Sequence, residues 1–555
     1  MRMLASHLVA FVLLAVLSTL AAASDFANAP SDILEVRKHR HHHHHHHHHH
    51  HTTSTSKKHH HRPPTEPTGR KHHHGHKKPN AGEDVHKTTR HHHPHSATTS
   101  TKAASKPTKT VTTLTTTKSN KPTTTPVSPP APKGTHKYGL MYSDKIRGVS
   151  AGNWLVVENW MDVRLDAALN AIAVKAPASV VKKNKGKPIV DEYTLGLYAD
   201  RANATILLKE HFDTWMTEKD WKRIAKAGLN SVRIPFPHFA FPDAIEDNIP
   251  YFSLNRLDKL KEGVLLAKKY GLKVWISLHS LPGSQSMCHG YDSSGRIGPA
   301  KWATSPEYTT LSKRAFNHLV SIFSQEPYAS AVLAIEPANE PTAAQDDDIL
   351  QTLRNFYPLA FDLFHSAKQR NLAVGAPASN QLMFAAHDGW KGMRYWAQPA
   401  FFNETVREQM LLGMHPYYIF GDVVHNMTDS QRVAKACLFG EKIANYSSVY
   451  TIVASECGIN APRGDNGWGR DMHQADHLQF DDENLDYPFS DEYMRFLALN
   501  FRAQQQAYER GAGWMLWSWK HYQHRDWSYK SGLRYGWLPR SAAELDQQPF
   551  GKLCP

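Results

Sequence analysis

The sequence predicts an α/β protein: a closed (β/α)8 barrel over residues 138–555, preceded by a long disordered segment rich in His, Thr, Lys and Pro. Three observations carry that expectation. Residues 24–137 almost lack bulky apolar side chains, so they cannot offset the entropy of ordering a core. From Tyr138 onward aromatics appear, and short apolar runs alternate with longer amphipathic stretches over about 400 residues, the pattern of a parallel sheet crossed over by helices. Polar residues follow the apolar runs, as they do in TIM barrels, where the strand ends carry the chemistry.

Taken in order, Met1-Arg-Met-Leu-Ala-Ser-His is a weakly basic start to the apolar stretch Leu8 to Ala23, and Ala21-Ala22-Ala23-Ser24 offers small residues for cleavage. Residues 1–23 therefore read as a signal peptide, with an uncleaved anchor as the alternative; the run is short for a membrane span, and no later segment has a span's length without charges. Next come the run His41–His51 and His clusters at 59–61, 72–74 and 91–93, then a Thr/Lys/Pro/Ser tract. That segment reads either as a metal-binding or pH-dependent polycation, charging below about pH 6.5, or as a solvated, O-glycosylated stalk.

Eight strand candidates follow: Arg147–Val149, Ser231–Pro235, Lys273–His279, Val332–Glu336, Ala373–Ala376, Leu411–His415, Thr451–Ser455 and Gly513–Trp519. Between them lie helix-like stretches such as Glu218–Ala227, Leu257–Tyr270, Leu311–Gln325, Asp347–Lys368, Ser430–Ala444 and Glu492–Arg510.

The net charge of +14 is confined to the start of the chain. Residues 1–140 carry 20 Lys and Arg against 6 Asp and Glu, and the remainder carries 45 of each. A neutral, Trp-rich body gives no footprint for nucleic acid. Sequons at Asn203, Asn403, Asn426 and Asn445 fit secretion, an extracellular or cell-wall location being expected. The four cysteines have no zinc spacing; Cys554 is expected to clip the tail to Cys437, while Cys288 and Cys457 either pair or stay free.

Two carboxylates stand out, each close behind a short apolar run: Glu340 in Val332-Leu-Ala-Ile-Glu-Pro-Ala-Asn-Glu-Pro341 and Glu456 in Tyr450-Thr-Ile-Val-Ala-Ser-Glu-Cys-Gly458. At the mouth of a sheet such a pair can divide the work of acid and nucleophile across one glycosidic bond. Arg233, His279, Asn339, His415 and Trp517 also follow strand candidates. Each has a plainer reading: Arg233 as a structural ion-pair partner, the histidines as satisfied core groups, one of Trp517 and Trp519 as packing. Glu336, inside the fourth strand, is a second candidate acid, though its depth favours a structural role.

Several separated stretches together resemble glycoside hydrolase family 5, and within it the fungal exo-β-1,3-glucanases, over about residues 140–555. They are Arg147-Gly-Val-Ser-Ala-Gly-Asn-Trp-Leu-Val-Val-Glu-Asn-Trp160, Asp191-Glu-Tyr-Thr-Leu195, Ala227-Gly-Leu-Asn-Ser-Val-Arg-Ile-Pro235, Leu278-His279 with Pro282-Gly-Ser-Gln285, Asn339-Glu-Pro341, His415-Pro-Tyr417 and Trp517-Ser-Trp-Lys520. The resemblance implies a retaining mechanism with Glu340 as acid/base and Glu456 as nucleophile. It implies that Arg233 and Tyr417 keep Glu456 ionised and lower its pKa, that Asn339 bonds the sugar 2-hydroxyl, and that His279 and His415 orient hydroxyls and carboxylates. Trp517 would stack on the sugar and Glu158 bind its outer hydroxyls. Tyr291 and Phe420 would clamp the departing glucan, with Asp292 beside Tyr291 among the substrate contacts.

The expected activity is exo-acting release of glucose from the non-reducing ends of β-glucan polysaccharide or oligosaccharide by a monomer, with no metal or organic cofactor. Alternatives are an endo-acting or β-1,6-specific glucanase with the same pair, or a weakly active glucan-binding wall protein. Departures from the family pattern are Asn153 where Gly is usual, Ser277 for Asp, Ala338 for Leu and Cys457 for Trp, with a longer loop after Gln285. None removes a reacting group; several touch the pocket wall.

Overall fold

Eight apolar runs become eight parallel strands in a closed ring: β1 (Ile146–Ser150), β2 (Ser231–Pro237), β3 (Lys273–Ser280), β4 (Val332–Glu336), β5 (Met383–His387), β6 (Met410–Met414), β7 (Thr451–Cys457) and β8 (Gly513–Leu516). The computed structural model describes residues 145–286, 295–375, 381–398, 400–420, 426–461, 489–522 and 524–555. The expected leader and low-complexity segment lie outside the described residues, as do Cys288, Tyr291 and Asp292.

Each strand pairs with its sequence neighbour, and β1 closes on β8 with Ile146 opposite Gly513 and Val149 opposite Leu516. Gly513 is required at that seam. It has φ 130°, and a Cβ there would stand 1.9 Å from the Ile146 carbonyl oxygen. Strands buried on both faces favour continuous apolar runs over strict alternation. Accordingly, one large apolar cluster fills the space between sheet and helices. A smaller one, including Trp275, Leu333, Met383, Leu411, Val453 and Met515, comes from the strands themselves and fills the barrel.

The fifth strand corrects the sequence expectation. Of the expected Ala373–Ala376, the described residues 373–375 form no strand: the helix Asp347–Ala373 runs on through Leu372 and Ala373, both strong helix formers. The strand is Met383–His387, whose Met-Phe-Ala-Ala-His sequence holds no β-branched residue and so gives little β signal. The eighth strand ends at Leu516, so Trp517 and Trp519 sit beyond it in the loop. Four helices between β1 and β2, at Val163–Ala171, Ala178–Lys183, Glu192–Tyr198 and Arg201–Trp215, went unread in the sequence.

Local chemistry ties this β1–β2 segment to the barrel mouth. Asp191 caps the helix Glu192–Tyr198 and accepts from the Ile297 N–H at 2.7 Å. Glu192 then accepts from the Val157 N–H at 2.9 Å and pairs with buried Arg256 at 2.9 Å, fixing the loop that carries Glu158. In the same manner Asp220, in the capping box of the helix Glu218–Lys226, accepts from the Trp519 indole at 3.0 Å and anchors the loop after β8.

Cys437, in the helix Asp429–Tyr446, forms the expected disulfide with Cys554. Cys457 is a free, buried thiol. Among the described residues no helix is long and apolar enough to cross a membrane.

Candidate active site

At the C-terminal ends of the strands Arg233 is the hub. Its guanidinium, wholly buried on β2, reaches Glu336 on β4 at 2.7 Å, Ser277 on β3 at 2.9 Å and the side-chain Oδ1 of Asn339 at 2.7 Å, and it donates to Oε1 of Glu456. Burial opposes the Arg233 charge, but Glu336 and Glu456 more than offset it, so the group stays protonated. Glu336 also accepts from the Trp275 indole at 3.0 Å. It is buried inside the barrel as a counter-ion, which matches its structural reading.

Glu456 lies within β7 and accepts at Oε2 from the Tyr417 hydroxyl at 2.9 Å. Glu340 lies four residues beyond β4, in a loop, with a left-handed backbone at φ 44°. That conformation costs a non-glycine residue about 1–2 kcal/mol and persists only where neighbours impose it. Gln285 is one such neighbour: its amide donates to the carbonyls of His279 at 2.8 Å and Asn339 at 2.7 Å. Its backbone carbonyl accepts from the Thr342 N–H at 3.1 Å.

The two carboxyls meet on one ring nitrogen. Nδ1 of His415 stands 2.6 Å from Oε1 of Glu340 and 3.6 Å from Oε2 of Glu456. Those oxygens are therefore no farther apart than the sum of the two spans, so both carboxyls face one small space. Burial pushes both carboxyls above the usual carboxylate range. This corrects the expectation that Arg233 and Tyr417 leave Glu456 with a lowered pKa: both pull it down, but removal from water and the charge of Glu340 outweigh them. Such a pair titrates as a unit. Arg233 and Tyr417 both donate to Glu456, which favours its ionised form over that of Glu340.

Asn339 accepts from Arg233 and donates one amide hydrogen toward Nε2 of His279 at 3.3 Å, leaving the other free. Nδ1 of His279 lies 3.4 Å from the Ser277 hydroxyl. Trp517 lies parallel to the His279 ring, interplanar angle 6° and centroids 5.8 Å apart. A Cβ on Gly152 would stand 2.8 Å from the Trp517 ring, so this glycine gives the indole its place. The next residue, Asn153, has φ 57°, a region Asn tolerates better than most residues, and its side chain accepts from the Glu158 N–H at 2.8 Å. Asn thus does at 153 what the usual glycine does.

Glu158 is buried; Oε2 accepts from the Trp160 indole at 2.9 Å, and Oε1 has no partner among the described residues. Burial first, then Glu456 and Glu340 nearby, hold it well above the usual carboxylate range. Phe420 is partly exposed beside Tyr417, ring centroids 5.6 Å apart. Every expected site residue within the described chain is thus at this mouth; Tyr291 and Asp292 lie outside the described residues.

Three features escaped the sequence reading. Gln285 was visible only as part of a motif. Trp160 and Trp527 join Met161, Ile419, Trp517 and Tyr417 in an apolar wall at the mouth. His387, on the strand that was misplaced, packs against His415 with centroids 4.3 Å apart. Glu340, His387 and His415 each bring one ligand-type atom within 4.8 Å of the others. A resident metal does not fit them. The Gly389 N–H donates to Nδ1 of His387 at 2.9 Å, which puts the ring proton on Nε2, so neither nitrogen of the neutral ring offers a metal a free lone pair.

A closed barrel with a buried carboxyl pair over its strand ends is, in class, a glycoside hydrolase. Residues 200–523 match the family described as Cellulase (glycosyl hydrolase family 5), and the chain belongs to that family. It is 28% identical over 433 residues to a glucan 1,3-beta-glucosidase of Pichia angusta, covering 74% of this chain and 89% of that protein. It is 27% identical to glucan 1,3-beta-glucosidase 1 of Schizosaccharomyces pombe over 68% of this chain and 83% of the relative. The fold is shared with rutinosidase from Aspergillus niger, TM-score 0.52 at 18% identity, over 72% of this chain and 99% of that one.

Proposed function

We propose that this chain is a retaining, exo-acting β-1,3-glucosidase that releases glucose from the non-reducing ends of β-glucan, as the names of its relatives suggest. The observation that carries the proposal is the meeting of Glu340 and Glu456 on Nδ1 of His415, with charged and phenolic donors on Glu456 alone. In this reading Glu340 protonates the glycosidic oxygen while Glu456 attacks the anomeric carbon, giving a glucosyl-enzyme. Glu340, now ionised, takes a proton from water, which hydrolyses that intermediate with net retention. The free amide hydrogen of Asn339 serves the sugar 2-hydroxyl, the unpartnered Oε1 of Glu158 accepts an outer hydroxyl, and Trp517 offers a flat face.

The exposed sequons at Asn203, Asn403, Asn426 and Asn445 support a secreted or wall-associated enzyme, released from a leader at residues 1–23. Product analysis on laminarin tests the reading. Glucose alone as early product, in the β-anomeric form and abolished in Glu456→Gln, is expected. Early longer oligosaccharides would replace exo with endo action, and an α-anomeric product would refute retention.

A further inference from the structure

Two imidazole nitrogens next to the carboxyl pair have no partner among the described residues: Nε2 of His387 and Nε2 of His415. Both rings are buried, and they meet edge to face with an interplanar angle of 78°. His387 is fixed from behind. Nδ1 accepts from the Gly389 N–H at 2.9 Å, and Oδ1 of Asp388, 3.8 Å away, is beyond hydrogen-bond reach. The proton of the neutral ring is thus on Nε2, a donor. Burial, with His415 and Arg233 adding to it, keeps His387 uncharged.

His415 has two neutral tautomers, and they have opposite consequences for Glu340. With the proton on Nδ1, the ring donates to Oε1 of Glu340 and the carboxylic proton stands on Oε2, free to be delivered. With the proton on Nε2, Nδ1 becomes an acceptor and draws the carboxylic proton onto Oε1, facing the ring. The second arrangement also leaves an N–H on both Nε2 atoms of two touching, buried rings, neither of which has an acceptor for it among the described residues.

We propose that His387 is a positioning residue for the acid/base. Its Nε2–H selects the Nδ1–H tautomer of His415, so that Oε1 of Glu340 is occupied as an acceptor and the acid's proton stands on Oε2. The assignment rests on the reading of Glu340 as the acid. It gives the loop after β5 a part in the reaction: Gly389 sets His387, His387 sets His415, and His415 sets the proton.

The test exploits leaving groups. A sugar alcohol must be protonated to depart, whereas dinitrophenolate departs unaided, so a misplaced acid proton slows the first and spares the second. His387→Asn is the informative variant in the full chain, because its carbonyl can still accept from Gly389 while the outward donor is gone. The expected result is a loss of about 10-fold or more in kcat/KM on laminaritriose, with less than about 2-fold on 2,4-dinitrophenyl β-glucoside. Equal losses on both substrates, or none on either, would overturn the role of His387. His387→Phe, which keeps a ring without either nitrogen, is read by the same ratio should the Asn variant not fold. A wild-type chain inactive on both substrates would instead overturn the glycosidase reading.

Discussion

Glu456 and Glu340 face the same imidazole yet are built in opposite ways. Glu456 belongs to β7, a strand paired with β6 and β8, and receives a buried guanidinium and a phenol. Glu340 rides on a loop in a left-handed conformation, with an imidazole as its hydrogen-bond partner. A group that must bear charge in a dry site needs fixed donors. A group that must lend a proton and recover it needs a setting that leaves the neutral form cheap. The barrel supplies the first from its rigid wall and the second from its rim.

That contrast can be broken at several points. The largest effect is expected from Glu456→Gln, which removes the charge itself: kcat on laminarin should fall by about 10⁴-fold or more, on activated aryl glucosides as well. Glu340→Gln should be selective, with a loss of about 10²–10⁴-fold on laminarin but little change in kcat/KM on dinitrophenyl β-glucoside. Comparable losses of both substrates in this variant would erase the proposed division of labour.

Arg233→Met strands Glu336 and Glu456 without a counter-charge. Loss of one partner from a buried ion pair costs about 3–5 kcal/mol, so a lowered unfolding midpoint in urea should accompany the loss of activity. Tyr417→Phe sharpens the comparison most gently. The phenol favours ionised Glu456, so its removal raises that pKa, and the acidic limb of kcat/KM should move to higher pH by under about one unit. Movement to lower pH would mean that Tyr417 acts elsewhere.

Much of this was legible in the sequence because barrel strands buried on both faces announce themselves as Val/Ile/Leu runs, and because the strand ends collect polar residues. Arg233 and Glu456 could be placed from such runs, Glu340 from Asn-Glu-Pro just past one. His387 could not. Its strand, Met-Phe-Ala-Ala-His, lacks the β-branched residues that mark the others, and the helix before it ends in Leu-Ala with Val374 next, a run that reads as the strand instead. The electrostatic balance was also beyond reach: Arg233 beside Glu456 argues for a low pKa on paper, and only burial reverses it. The disulfide was predictable because Cys554 is next to the chain end and few cysteines compete for it.

The seam where Ile146 meets Gly513 has a kinetic consequence. The first strand made on the ribosome takes its second neighbour from the last strand made, so the ring can shut only once nearly all of the chain is available. Contacts of such long sequence separation fold slowly. Refolding from urea should therefore show the Trp514 environment, in β8 at the seam, maturing late, after the parallel neighbours β2 and β3, close in sequence, have already paired.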